Sequence, residues 1–204
     1  MCHGARLDTY LDLGATPLAD NFVKADQLGH PEAVYPLVVA LCKQCGLSQL
    51  THVVNPKLLY HRDYPYESST TDTGRQHWGE FAATATRKLA LSDQDLVVDI
   101  GSNTGVLLER FRQEGVRIMG VDAAPNIVAK ARRRGIPTVC GFFDAAIARR
   151  IVTRQGQAAL ATATNAFAHI DNLDQLARAL RILLRDDGVF VLEAPHFVRL
   201  LQQL

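Results

Sequence analysis

The chain has 204 residues, and 22 basic against 21 acidic side chains leave a net charge of +1. With 48% hydrophobic and 21% charged residues it has the balance of a folded protein, which excludes wholesale disorder and a collagen-like fibre, while so small a surplus of cations argues against a dedicated nucleic-acid binder. Apolar stretches such as residues 36–42 fall well short of the roughly 18 residues that span a bilayer, and no cationic start with an apolar core opens the chain, so no membrane contact is expected and the cytoplasm is the expected compartment.

Residues 1–55 carry short apolar runs broken by Gly, Pro and Asp, as in Leu11-Asp12-Leu13-Gly14 and Tyr35-Pro36-Leu37-Val38-Val39. That pattern predicts a small β-rich module with little core of its own, which needs a staple. Cys42-Lys43-Gln44-Cys45-Gly46 has the spacing of half a zinc site, in which one tight turn presents two sulfurs. Residues 56–91 form a polar link containing Tyr60, His61, Tyr64, Tyr66 and His77, with a helix predicted over 73–91. The link reads either as a plain linker or as a lid over a substrate.

From residue 92 the texture becomes a regular alternation of short apolar runs and amphipathic stretches. Strands are predicted at 96–100, 116–121, 136–140, 158–162 and 189–192. Helices are predicted over 104–114, from Pro125 to a stop at Gly135, over 145–153 and along the apolar stripe Leu173, Leu176, Ala177, Leu180, Leu183 and Leu184. The fourth strand looks weak, because alanine packs poorly on a pleated surface. Cys140, alone at the end of a strand, is expected to be a buried small apolar residue. The alternation means an α/β fold, a Rossmann-like parallel sheet with helices on both faces.

The segment Asp99-Ile100-Gly101-Ser102-Asn103-Thr104-Gly105 follows the first of these strands and opens the first helix. Glycines there allow a sharp turn, and the helix start offers free N–H groups. Asp122 ends the next strand about 20 residues later, where a carboxylate can accept from ribose hydroxyls. An adenosine-containing cofactor is therefore expected. A dinucleotide fingerprint would need glycine at 101, 103 and 106, whereas the chain has Gly101, Asn103 and Val106, so a pyrophosphate is poorly served.

The Asp-x-Gly-x-x-x-Gly pattern resembles the first motif of class I S-adenosylmethionine-dependent methyltransferases. Further motifs occur in one order along the chain: residues 11–20, the Cys42-x2-Cys45-Gly46 knuckle, Tyr64-Pro65-Tyr66-Glu67-Ser68-Ser69, Asn165-Ala166-Phe167-Ala168-His169-Ile170, and residues 187–195. Together they resemble the zinc-containing sugar C-methyltransferases, which methylate a nucleotide-linked keto-deoxysugar. The resemblance implies that Asp99, Gly101, Ser102, Asn103 and Gly105 border the cofactor, Asp122 holds its ribose, Phe142 or Phe143 lies near the adenine, and Asn165 lies near the methyl-transfer site. The phenylalanines read equally as core, and Asn165 as a cap on its loop. Tyr64, Tyr66 and His169 are the candidate catalytic groups, His169 more as an orienting residue than as a base.

The same resemblance implies a Zn2+ site of two C-x2-C knuckles. Here the second is complete and the first is reduced to Met1-Cys2-His3-Gly4, so Cys2, Cys42 and Cys45 are the ligands expected, with Cys2 or His3 at the second position of the first knuckle. Family members continue well past Pro195 with a Tyr-His-Glu-His segment, absent from these residues, and the chain is expected to be a truncated form able to bind S-adenosylmethionine but not to turn over. Three domains are expected: a zinc module at 1–55, a lid or linker at 56–91 and a cofactor-binding domain at 92–204. Two alternatives stay open. One is a methyltransferase with a different small-molecule acceptor, and the other is a noncatalytic zinc- and S-adenosylmethionine-binding module. The basic run Lys130-Ala131-Arg132-Arg133-Arg134 reads as a solvated helix end. Oligomeric state is left open by the sequence.

Overall fold

A computed structural model describes residues 2–60, 64–68 and 71–202, and the chain divides into two units, Met1–Tyr66 and Glu67–Leu204. In the first, strand β1 (Leu7–Pro17) pairs antiparallel with β2 (Val34–Cys42), which pairs on its other side with β3 (Ser48–Leu50). The β1–β2 register shifts between Thr9 and Leu11 and again between Asp12 and Ala15, the second shift around Gly14 at φ +72°. Among the described residues of this unit only Ala40 and Cys42 are buried. A three-stranded sheet with so little interior has almost no hydrophobic stabilisation of its own. Helix α1 (Pro56–Leu59) follows, started by Asn55, whose side chain accepts from the Lys57 N–H at 3.0 Å.

The second unit begins with helix α2 (Asp72–Lys88), capped by Thr71. It then alternates through β4 (Leu96–Ile100), α3 (Val106–Gln113), β5 (Arg117–Asp122), α4 (Pro125–Arg133), β6 (Thr138–Cys140), α5 (Ala145–Gln155), β7 (Ala158–Thr164), α6 (Leu173–Leu183), β8 (Leu184–Glu193) and α7 (Phe197–Gln202). The five strands are parallel in the order β6-β5-β4-β7-β8. Alternate residues of β4 serve opposite faces. Val97 packs with Leu107, Leu108 and Phe111 of α3 and Ala82 of α2, while Leu96 and Val98 pack with Ala148 and Ile151 of α5 and Ala179 and Leu183 of α6. Helices thus cover both faces, as the sequence pattern requires. The chain leaves β4 toward β5 on one side and returns as β7 on the other, so the crevice of such a sheet opens past the carboxyl ends of β4 and β7.

Three expectations need correction. The strand that looked weak, β7, lies between β4 and β8 and is buried from Ala158 to Ala163. Its small side chains share one tight cluster with Ala148 and Ala179 of the helices above, so close helix approach replaces bulk as the source of packing. Cys140 is exposed, not buried, because it ends a three-residue strand at the edge of the sheet. The last strand begins at Leu184, five residues before the predicted start, since Leu184 already pairs with Ala158 before the register shifts to Leu160 and Val189.

Candidate functional site

The glycine-bearing turn joins β4 to α3. Gly101 has φ +75°, and a Cβ there would lie 2.5 Å from the Cβ of Ala166. Gly105, at φ +80°, would put a Cβ 2.7 Å from the Ile136 side chain. Both positions therefore need glycine for the conformation and for the close approach of the neighbouring chain. The N–H groups of Gly101 and Ser102 both donate to the Val121 carbonyl, at 2.8 and 3.1 Å, which ties the turn to the end of β5.

Asp122 sits at that end. Its Oδ2 accepts from the Asn103 N–H at 2.8 Å and its Oδ1 from the Ala124 N–H at 2.9 Å. Each oxygen keeps a second lone pair for an outside donor, the arrangement needed to grip two sugar hydroxyls. Burial raises the Asp122 carboxyl above the usual range against these two backbone donors. Asp99 is turned inward, where its Oδ1 accepts from Thr162 Oγ1 at 2.6 Å, and burial pushes its carboxyl up to about 7. Ser102 Oγ is buried and has no hydrogen-bond partner among the described residues. Asn103, at φ +49°, accepts on its Oδ1 from the Ser68 N–H at 2.9 Å, from Ser68 Oγ at 3.3 Å and from the Thr104 N–H at 2.9 Å. Beside it Glu67 pairs with Lys130.

The remaining residues singled out in the sequence fall as follows. Phe142 is 40% exposed just past β6, whereas Phe143 packs into the core against Ile100 and Val98. Asn165 follows β7 in a left-handed conformation, φ +53°, and His169 is exposed at the end of the short 3-10 turn Phe167–His169. Tyr64 and Tyr66 belong to the first unit, where Tyr64 tilts against Tyr60 with centroids 5.3 Å apart. His61 and Ser69 lie outside the described residues.

Three partners were not assigned from sequence. Thr162 is reachable by reasoning, since β4 and β7 pair residue 99 with 162. Ser68 sits in a quoted motif, yet nothing in its spacing links it to Asn103. Glu193 accepts on Oε1 from Asn165 Nδ2 at 3.2 Å and on Oε2 from His77 Nε2 at 2.8 Å, contacts that no sequence pattern announces.

In the first unit the sulfurs of Cys2, Cys42 and Cys45 lie within 4.8 Å of one another, with Cys2 and Cys42 3.6 Å apart. Four thiolates about 2.3 Å from one zinc ion stand about 3.8 Å from each other, so this spacing fits a shared ion. Backbone N–H groups of Gln44 and Cys45 hold the Cys42 thiol down to about 7, which favours the ionised form a metal requires. Gly46, at φ +73°, closes the knuckle and donates to the Cys42 carbonyl at 2.9 Å. His3 is not among the three grouped ligands.

Comparison with known proteins agrees with both halves of this picture. Residues 1–60 match a family described as "Putative zinc binding domain", and residues 75–203 match one described as "Methyltransferase domain". The chain is 37% identical to the C-methyltransferase NovU of Streptomyces niveus, aligning 98% of its own length with 48% of that protein, so it spans about half of that relative. Among solved structures, an S-adenosylmethionine-dependent methyltransferase from Clostridium acetobutylicum superposes with a TM-score of 0.51 at 22% identity, over 65% of this chain and 55% of the other. The PH0226 protein of Pyrococcus horikoshii gives a TM-score of 0.51 at 16% identity, over 66% and 60% of the two chains. Because the matched stretch takes in more than half of the chain, the chain belongs to the methyltransferase-domain family.

Proposed function

We propose that this chain is the zinc- and S-adenosylmethionine-binding part of a cytoplasmic C-methyltransferase whose acceptor is a nucleotide-linked keto-deoxysugar. The observation that carries the reading is the Asp122 carboxylate, positioned by two backbone donors beside a turn whose glycines leave the backbone bare. The likeness to a C-methyltransferase along nearly the whole chain supports carbon as the acceptor atom. In this reading Gly101, Ser102 and Gly105 border the methionine part of the cofactor. Asp122 accepts from the ribose and Phe142 flanks the adenine. Asn165 and His169 face the acceptor, and Tyr64 and Tyr66 remain the other candidate catalytic groups. Cys2, Cys42 and Cys45 hold a structural zinc ion, which stabilises a sheet too thin to fold on burial alone.

Bound S-adenosylmethionine supplies an electrophilic methyl group. A keto sugar can supply the nucleophile, because the proton beside its carbonyl is acidic enough for a positioned base to remove. The resulting enolate carbon then needs in-line placement and exclusion of water.

Calorimetry on the zinc-replete chain tests the cofactor half of the reading. S-adenosylhomocysteine is expected to bind with one-to-one stoichiometry, and Asp122→Ala to weaken it about 30-fold, the effect of losing hydrogen bonds to a charged acceptor. Absence of binding to the unsubstituted chain sinks the proposal. Transfer of labelled methyl to a nucleoside-diphosphate keto sugar tests the acceptor half: product rules out the noncatalytic module, while cofactor binding without product fits a chain that spans about half of its C-methyltransferase relative.

A further inference from the structure

Glu193 ends β8 and ties together two elements that are far apart in the chain. Its backbone carbonyl accepts from the Asn165 N–H at 2.8 Å, its Oε1 from Asn165 Nδ2 at 3.2 Å, and its Oε2 contacts His77 Nε2 at 2.8 Å. An ionised carboxylate only accepts, so Nε2 of His77 carries the hydrogen in this pair. His77 is braced from behind as well. Its ring meets Trp78 edge-on with centroids 4.6 Å apart, Trp78 meets Phe81 at 6.4 Å, and Phe81 meets the buried Phe111 of α3 at 6.3 Å. The carboxylate is thus fixed from the hydrophobic core outward. It in turn fixes Asn165, a residue held at φ +53° and followed directly by Ala166, whose Cβ is the atom that any side chain at Gly101 would strike.

We propose that Glu193 is a positioning residue for the methionine end of the cofactor, and this rests on the reading of the site as an S-adenosylmethionine pocket. Its hydrogen bonds among the described residues go to Asn165 and His77. It acts through Asn165 and Ala166, which form the wall against which the Gly101 turn is set, so it governs the side of the crevice beside β7 and leaves the Asp122 side alone. A wall held in register by a hydrogen-bonded neighbour keeps the productive geometry only while that neighbour is in place.

The test compares two ligands on the full zinc-replete chain. S-adenosylhomocysteine carries the amino-acid end, and 5′-methylthioadenosine has the same nucleoside without it. Glu193→Ala is expected to weaken S-adenosylhomocysteine about 10-fold while changing methylthioadenosine less than about 2-fold. Glu193→Gln, whose amide oxygen can still accept from Asn165, is expected to restore most of that loss. The melting temperature of the ligand-free chain should move little in either variant, since the pair is half exposed. A merely structural role predicts a different outcome, equal weakening of both ligands together with a fall in melting temperature, and that result overturns the proposal. Unchanged S-adenosylhomocysteine affinity in Glu193→Ala overturns it too. Failure of the unsubstituted chain to bind S-adenosylhomocysteine overturns the pocket reading itself, and the positioning role with it.

Discussion

Asp99, next to last in β4, and Asp122, last in β5, respond to burial in the same direction in different surroundings. Asp99 is raised to about 7 by burial, with the Thr162 hydroxyl opposing the shift and the Asp122 charge adding to it. Asp122 is raised by burial and opposed by the Ala124 and Asn103 N–H groups. Both carboxyls ionise more readily in the unfolded chain, so the stability they contribute is whole below about pH 4, the usual carboxylate range, and for Asp99 is lost as the pH climbs to about 7. Replacing Asp99 by Asn keeps an acceptor for Thr162 and removes the titration. Urea unfolding of Asp99→Asn should therefore show a shallower drop in midpoint between acid and neutral pH than the unsubstituted chain, and an identical drop counts against the assignment. Gly101 is constrained by space and by backbone conformation alike. Gly101→Ala adds a β-carbon in a left-handed conformation, costing roughly 1–2 kcal/mol, and drives it against Ala166. Thermal denaturation should show a lowered midpoint, and S-adenosylhomocysteine affinity should fall with it.

The elements of the second unit were legible because each obeys one local rule. Pro125 starts α4, Gly115 and Gly135 close helices at positive φ, and the leucine stripe of α6 repeats at helical spacing. Leu183, the last residue of that helix, is fully buried among Leu96, Ala158 and Ile151, so Leu183→Ala should cost about 2–5 kcal/mol in chemical denaturation. The turn after β4 was readable for a related reason, since its glycines are required by positive φ and by the close approach of neighbouring side chains. What escaped were features decided by neighbours remote in the chain. Cys140 looked apolar and came out exposed because its strand is a short edge. The alanines of β7 looked weak and came out central because the helices above are equally lean. Glu193 and His77, 116 residues apart, meet only because β8 closes the sheet beside α2.

Across the whole molecule, the two units differ in what holds them. The second has clusters of buried leucine, valine and isoleucine on both faces of its sheet, while among the described residues of the first only Ala40 and Cys42 are buried. Removing zinc with a chelator should therefore abolish hydrogen-exchange protection at the β1–β2 amides, including those of residues 38–41, while the amides of β4 and β7 stay protected. Protection that survives in β2 after the metal is gone would show that the sheet stands without it. The boundary between the units also has a practical side. Glu67 and Ser68 are the first residues of the second unit, and they are fastened to Lys130 and Asn103. Anyone expressing that half by itself would do well to cut ahead of Glu67: a fragment starting at Asp72 would strip Asn103 of both Ser68 donors, leaving its Oδ1 with the Thr104 N–H, and would blunt nucleoside capture for reasons unrelated to the missing metal module.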